Sequence, residues 1–271
     1  MTRQSRLNSI IGGSAGILML AVVLIGISPL TPDPIAVDIT ARLEGPSTAH
    51  WLGTDEFGRD VLARIAHGAG ISAGIAFTVV ALATIVGTLA GMIAGYFRGW
   101  TDRIVMAVAE ALLAFPGILL ALALVAVLGA SRWGIIGALT LAYIPIVVRV
   151  VRGSALSIRE LDYVAAARVA GAGHTRILWR HVLPNMMAPI IVMMTSLFGW
   201  VILSESALSF LGVGVSPPTP TWGNMLSAAR PHLADASHLA IAPGLSITLT
   251  LIATNLLGDA LRDRLDPRTA R

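Results

Sequence analysis

Long apolar blocks separated by short polar segments dominate the hydrophobic pattern of this chain. Six blocks carry no charge or almost none: Ile10–Ser28, Ile71–Phe97, Ile104–Ala130, Trp133–Val148, Val182–Leu203 and Leu239–Gly258. A helix needs about 20 mainly apolar residues to cross the hydrocarbon core of a bilayer. The pattern therefore predicts an all-α polytopic membrane protein with six transmembrane helices. The fourth block is the shortest and spans fully only if its flanking arginines snorkel to the two interfaces.

Composition supports a lipid environment and excludes several kinds of chemistry. Of the 271 residues, 55% are hydrophobic and 13% are charged, about half of the roughly 25% charge typical of a soluble domain. The chain has no lysine and no cysteine. A P-loop ATPase site needs lysine, and thiolate or cysteine-based zinc sites need cysteine. We therefore predict a chain that is not an enzyme and holds no cofactor or metal.

Arginine positions predict the orientation, because cytoplasmic segments of membrane proteins are enriched in basic residues. With the N-terminus inside, fourteen of the nineteen arginines fall in inner segments and five in outer segments. Both termini, residues 1–9 and 259–271, are therefore predicted to be cytoplasmic. Residues 29–70 form an outer segment, and residues 71–258 form a core of five helices with an inner loop at 149–185. Arginines scattered between apolar blocks do not form the basic face that nucleic-acid binding requires.

The first apolar block allows two interpretations. Residues 10–28 follow two arginines, as the apolar region of a secretory signal peptide does. The sequence that follows, SPLTP, is unlike the small-residue cleavage site of such peptides. We therefore predict that residues 10–28 form a retained transmembrane helix of a protein of the inner membrane.

The inner loop has the pattern of two short helices joined by a glycine turn. Asp162 is in position to cap a helix over 163–170, in which three alanines favour helix and leave a narrow surface. Gly171 and Gly173 permit a turn before a second amphipathic stretch, 175–183. The small side chains would let the backbone of another protein approach closely.

This loop resembles the EAA loop of permease subunits in binding-protein-dependent ABC importers. The family pattern has Glu-Ala-Ala, then glycine after three residues, and an Ile-x-Leu-Pro motif after nine more. The matching positions are Ala165, Ala166, Ala167, Gly171, Leu183 and Pro184. Ala165 replaces the usual glutamate, and His181 stands where isoleucine is frequent. The resemblance implies that these residues form the surface that couples the permease to its ATPase.

Other motifs resemble the second, C-type permease of the dipeptide, oligopeptide and nickel branch. They are LGTDEFGRDVLAR at 52–64, AFP at 114–116, ESALSFLG at 205–212, PPTPTWGNML at 217–226 and NLLGDALRDRLDP at 255–267. The resemblance implies a type I ABC importer permease fold and import of peptides or, as an alternative, nickel or another small solute. It also implies three kinds of partner: a second homologous permease, two ATP-binding subunits and an extracytoplasmic substrate-binding protein.

Several charged or aromatic residues are candidates for a functional role. Glu110 and Glu205 lie within or beside apolar blocks, where a carboxylate usually faces the bundle interior or a wet cavity. They either line the translocation path or are paired structural carboxylates. Asp55, Arg59 and Asp60, with Trp222 in the second outer segment, are candidates for contact with an outer partner. The alternative for the charged group is a solvated helix cap.

Two other classes of function stay open. An ion-coupled secondary transporter would use Glu110 and Glu205 as ion sites and would need no ATPase, although inverted repeats typical of that class are not evident. A membrane scaffold without transport activity is the third possibility. The neighbouring genes would separate these classes, since an importer needs ATPases and a secreted binding protein.

Overall fold

The structure of the protein is a computed structural model that describes residues 33–265. Over this range the chain forms helices and loops, and its one β-type pairing is an isolated bridge between Thr54 and Asp60. The all-α prediction is confirmed. The predicted cytoplasmic N-terminus at 1–9, the predicted first helix at 10–28 and residues 266–271 of the predicted cytoplasmic tail lie outside the described residues.

Nine α-helices follow one another along the described residues. They are α1 (Val61–Phe97), α2 (Gly99–Leu113), α3 (Gly117–Leu128), α4 (Arg132–Arg159), α5 (Asp162–Val169), α6 (His174–Ile177), α7 (Leu183–Phe210), α8 (Trp222–Ala229) and α9 (His238–Leu265). A π-helical turn, Leu178–Val182, joins α6 to α7. Within 33–265, four helices are long and apolar enough to cross a membrane, and α2 with α3 would make a fifth span as a bent pair.

Helix α1 begins ten residues before the predicted boundary at Ile71. The Asp60 side chain caps it by accepting a hydrogen bond of 2.8 Å from the amide of Ala63. The charge of Arg64 does not interrupt the helix, because its guanidinium lies 3.3 Å from the Asp55 carboxylate. The predicted outer segment 29–70 therefore contains the first turns of a long helix.

The predicted continuous block 104–130 is instead two helices that meet at an angle of 93°. The break falls at Ala114, Phe115 and Pro116. Proline has no amide hydrogen and disfavours helical geometry in the residue before it. The helix is therefore completely broken at Pro116, whereas Pro145 and Pro243 lie inside continuous helices.

Helix α4 extends to Arg159, eleven residues beyond the predicted end of the fourth block. Its first turn is capped by the Ser131 hydroxyl, which accepts from the amide of Gly134 at 3.0 Å. Arg152 is accommodated in the helix because it donates two hydrogen bonds to Asp102 of α2, one of them 2.7 Å long. The inner loop is consequently shorter than the predicted range of 149–185.

The core of the bundle is the close contact between α1 and α4. Gly87, Gly91 and Gly95 lie one turn apart on the face of α1 that meets α4. A Cβ added to Gly91 would lie 2.6 Å from the carbonyl oxygen of Val148, and one added to Gly95 would lie 2.7 Å from that of Arg152. Small residues at this spacing let two membrane helices approach until their backbones touch.

The two ends of the bundle have different structures. At one end, helix α8 and the segment before α1 pack together around a small core that includes Val61, Ile65, Met225 and Leu239. At the other end, α5 and α6 pack beside Tyr96, near the end of α1. The two segments predicted to be outer therefore share one end, and the predicted inner loop lies at the opposite end.

Large apolar side chains remain exposed along the flanks of the bundle. On α9, Ile241, Leu245, Leu249 and Ile252 are each at least half exposed. Their spacing of three or four residues places them on one stripe of the helix. An apolar stripe of this length fits contact with lipid or with another subunit.

Candidate functional site

The predicted coupling loop forms a compact helix–turn–helix at one end of the bundle. Helix α5 starts at Asp162 itself, and Leu161 precedes it without any side-chain cap. The prediction that Asp162 caps this helix is therefore wrong. The carboxylate instead lies in the first turn, where a negative charge interacts favourably with the helix dipole.

The loop presents small residues on its surface. Ala165 and Ala166 are exposed, and Ala167 is half-buried against the core. Gly171 is exposed and has a φ of +79°, and no atom lies within 4 Å of the position its Cβ would take. Only glycine adopts this left-handed conformation readily. The sequence therefore identified the turn residue correctly.

A shallow cavity borders these small residues. Its volume is about 360 Å³, and its walls are Ala167, residues 170–172 and three basic or titratable side chains, Arg176, Arg180 and His181. Beside it, Val169 is 90% exposed and projects from the end of α5. A surface with an open depression, a projecting valine and two arginines is suited to receive part of another protein.

Leu183 and Pro184 lie where the loop passes into the bundle. Leu183 packs on the core, and Pro184 is exposed in the first turn of α7. The π-helical turn just before them widens the helix at this point. Irregular turns of this kind within helices occur frequently at functional sites.

Tyr96 attaches the loop to the bundle and was not identified from the sequence. Its side chain is 3% exposed, and its hydroxyl oxygen lies 2.9 Å from Nδ1 of His174. Tyr96 and His174 are 78 residues apart. No local pattern relates them, so only the packing of α1 against the loop reveals the contact.

Glu205 is a buried carboxylate surrounded by hydroxyl groups. It is fully buried on α7, and its two oxygens accept hydrogen bonds of 2.8 Å from Ser209 and 3.3 Å from Ser72 of α1. The side chain of Thr221 provides a further hydrogen bond. These contacts link α1, α7 and the segment before α8. The geometry fits a structural carboxylate, the second interpretation given above.

Glu110 is not near Glu205 in the fold. It is exposed on α2, which packs against α1 and α4. Neither glutamate lines the cavity of about 670 Å³ between the bent helix pair and helices α4 and α7. The structure therefore does not bring the two predicted path residues together.

The charged group before α1 is an internal structure and not an exposed cluster. Asp55 is 6% exposed, and one of its oxygens accepts from the Arg59 guanidinium at 2.6 Å. The other oxygen accepts from the amides of Phe57 and Arg59, and the Arg64 guanidinium lies nearby. Buried ionised groups need such partners. Asp55 and Arg59 hold the turn that leads into α1 and have little surface for an outer partner.

Trp222 and Asp60 likewise make hydrogen bonds to other residues of this chain. Trp222 is 2% exposed, and its indole nitrogen donates to the carbonyl oxygen of Ile65 at 3.1 Å. This burial contradicts the expectation that Trp222 contacts an outer partner directly. Asp60 caps α1 and also lies 2.9 Å from the His50 ring. The residues of the outer motifs thus fix α8 and the preceding segment to α1.

A cavity lies between the bent helix pair and helices α4 and α7. It has a volume of about 670 Å³, within the range of small-molecule sites. Its lining is mostly apolar, with polar groups at Tyr143, Ser196 and Ser204. The Tyr143 hydroxyl lies 2.8 Å from the Ser204 hydroxyl and 3.1 Å from the carbonyl oxygen of Trp200. No sequence pattern predicted this cavity, because its walls depend on the break at Pro116.

No metal centre is evident between residues 33 and 265. In that range, no group of three or more histidine, aspartate or glutamate side chains is placed to hold a metal ion. The histidines of the outer segments are separate, and His50 is paired with Asp60.

Comparison with known proteins places the chain in a family. Residues 87–271 match the family described as the inner membrane component of binding-protein-dependent transport systems. The chain is similar to the glutathione transport system permease protein of Pectobacterium atrosepticum, at 46% identity over 83% of this chain and 75% of the relative. It is also similar to the dipeptide transport system permease protein of Alkalihalophilus pseudofirmus, at 43% identity over 84% of this chain and 75% of the relative.

A third relative covers more of the chain. It is a protein of Brucella suis provisionally named a peptide transport system permease, 45% identical over 93% of this chain and 86% of its own length. The family match covers more than half of the chain, and the family has the type I ABC importer permease fold. This protein, a multi-pass component of the inner membrane, belongs to the family of inner membrane components of binding-protein-dependent transport systems.

Proposed function

We propose that this chain is one permease subunit of an ATP-driven importer that carries peptides across the inner membrane. The complete importer would add a second, homologous permease, two ATP-binding subunits beneath and a substrate-binding protein above. Both termini of this chain would lie in the cytoplasm. The proposal depends chiefly on one observation, the exposed α5–Gly171–α6 surface at the end of the bundle opposite the outer segments.

The α5–Gly171–α6 surface is the proposed docking site for the ATP-binding subunits. Ala165 and Ala166 leave it open to close backbone approach, and Gly171 sets its turn. The Arg176 and Arg180 side chains line the cavity beside it. When ATP closes the two ATP-binding subunits, the surface would move with them and reorient the helices. Because the chain has no lysine, ATP hydrolysis through a P-loop would be confined to those separate subunits.

The 670 Å³ cavity is the proposed wall of the translocation path. Its lining residues carry hydroxyl groups and include no aspartate, glutamate, histidine or arginine. Hydroxyls can exchange hydrogen bonds with a peptide backbone, whatever the side chains of the peptide. A neutral path would leave selectivity to the substrate-binding protein. The names of the relatives support a peptide over nickel, which stays the alternative cargo.

An ion-coupled transporter is the competing function, and the positions of the two glutamates disfavour it. Glu205 is satisfied by serine hydroxyls, and Glu110 is exposed on another helix. A shared ion site would need both carboxylates in one cavity.

Uptake by the purified importer tests the source of energy. The complete complex is reconstituted in liposomes with its binding protein, and a labelled dipeptide is supplied. We expect uptake to require ATP on the side of the ATP-binding subunits, to stop when their P-loop lysine is replaced, and to persist after an ionophore collapses ion gradients. Uptake that follows an ion gradient without ATP would favour the competing function.

A further inference from the structure

Tyr96 contacts three separate parts of the loop region from a single position. Its hydroxyl oxygen lies 2.9 Å from Nδ1 of His174, the first residue of α6. The guanidinium of Arg168, at the end of α5, lies 5.3 Å from the centre of its ring. Its carbonyl oxygen accepts a hydrogen bond from Arg159, the last residue of α4. Both loop helices and the helix before them therefore converge on this residue.

Tyr96 is itself held rigidly. It is 3% exposed and is the second-last residue of α1, a helix of 37 residues. Beside it, Gly95 meets the backbone of α4 so closely that an added Cβ would lie 2.7 Å from the Arg152 carbonyl oxygen. The ring of Phe97 packs edge-on against both Tyr96 and His174. A displacement of α6 would thus act directly on the end of α1.

Helix α1 connects this end of the bundle with the other. Its first turns pack on Met225 and Leu239, and Trp222 of α8 donates to its Ile65 carbonyl. Ser72, in the same helix, donates to the buried Glu205 of α7. A rigid element that contacts both ends can carry a movement between them.

We infer that Tyr96 is a positioning residue for energy coupling, and that its contact with His174 transmits movement of the loop to α1. The inference depends on the proposed function, in which the ATP-binding subunits move the loop. The ring and backbone contacts of Tyr96 hold α5 and α4, whereas α6 is held by the hydroxyl and by an edge-on contact of the Tyr96 and His174 rings, whose centroids lie 5.7 Å apart. Removing the hydroxyl should therefore break the hydrogen bond to α6 and leave the ring contacts in place.

The chain offers a control hydroxyl at the same end of the bundle. Ser157 is exposed near the end of α4, and its hydroxyl donates to the carbonyl oxygen of Gly153 in the same helix at 3.2 Å. Ser157→Ala therefore removes a hydroxyl near the loop without removing a link between the loop and α1.

The test measures dipeptide molecules transported per ATP hydrolysed in the reconstituted importer. For Tyr96→Phe we expect normal retention of the ATP-binding subunits and near-normal hydrolysis, with roughly fivefold to tenfold less transport per ATP, the scale of one lost hydrogen bond. His174→Leu, which also removes the ring contacts with Tyr96 and Phe97, should lower the ratio at least as far. His174→Asn, which keeps a hydrogen-bonding group, should recover part of the ratio lost in His174→Leu, and Ser157→Ala should leave the ratio unchanged.

Two results would overturn the inference. An unchanged transport ratio in Tyr96→Phe would show that the contact carries no coupling. Loss of the ATP-binding subunits from Tyr96→Phe would show that the hydroxyl serves docking instead. The proposed function fails separately, if the wild-type chain does not retain ATP-binding subunits at all.

Discussion

Gly171 has a backbone conformation that few residues other than glycine adopt without strain. Its φ is +79°, and the space around its missing side chain is empty. A larger residue here carries a cost within the chain itself, because a left-handed conformation disfavours L residues by about 1–2 kcal/mol.

Gly171→Val should weaken retention of the ATP-binding subunits, because the strained turn would shift α5 relative to α6. A shift that costs 1–2 kcal/mol corresponds to roughly a 5- to 30-fold loss of affinity. Gly173→Val is the matched control, since Gly173 is also exposed, has open space and has an ordinary φ of −66°. The measurement is the amount of ATP-binding subunit that co-purifies with each variant. Equal recovery from both variants would contradict a role for this turn.

The burial of three residues in the predicted outer segments could not be predicted from the sequence. Asp55, Arg59 and Trp222 stood out because charged and aromatic residues in outer segments can bind partners. Their burial depends on contacts between segments far apart in the chain, such as that between Trp222 and Ile65. A sequence pattern records the residue types, whereas burial is a property of the packed segments.

At the scale of whole elements, the apolar blocks predicted which segments form helices better than where those helices end. Each of the five predicted blocks within the described residues is helical, and one of them is broken. Helices α1 and α4 continue past the apolar limits because Arg64 and Arg152 have acidic partners on other segments. A hydropathy profile places the end of an apolar block at such arginines, because it contains no information about the acidic partners on other segments.

The glycines of α1 determine how closely it packs against α4. Gly91→Ala should destabilise the bundle, because the added methyl group would lie 2.6 Å from the Val148 carbonyl oxygen. Overpacking of this kind costs about 1–3 kcal/mol. Gly153→Ala is the control, since Gly153 lies in α4 with no atom within 4 Å of its Cβ position. There the alanine should be neutral or stabilise by up to about 1 kcal/mol.

Thermal unfolding of the two purified variants in the same detergent measures the difference. We expect Gly91→Ala to unfold at a lower temperature than the wild type, and Gly153→Ala at the same or a higher temperature. Equal unfolding temperatures for the two variants would show that α1 and α4 do not meet through their backbones at Gly91.

The described residues combine a packed end that holds the segments predicted to be outer, an apolar body and an open loop at the other end. Long helix α1 joins the two ends, and a cavity of about 670 Å³ opens beside α7. The class of fold, the loop and its turn residue followed from the sequence. The cavity did not, because it results from the angle of 93° between α2 and α3, which composition and periodicity do not specify.

The central claim is that the α5–Gly171–α6 surface receives the ATP-binding subunits. Because the chain has no cysteine, a single one can be introduced and modified with a thiol-reactive photo-crosslinker in the otherwise unaltered protein. Ala166→Cys places the probe on the exposed face of α5, and Ser216→Cys places it on an exposed residue between α7 and α8. Both variants are assembled into the complete importer, and only preparations that transport the dipeptide are illuminated.

The identity of the crosslinked subunit is the decisive measurement. The account predicts that the probe at residue 166 captures an ATP-binding subunit, and that the probe at residue 216 captures none. A transport-competent complex in which residue 166 captures no ATP-binding subunit, or in which residue 216 does, would contradict the account.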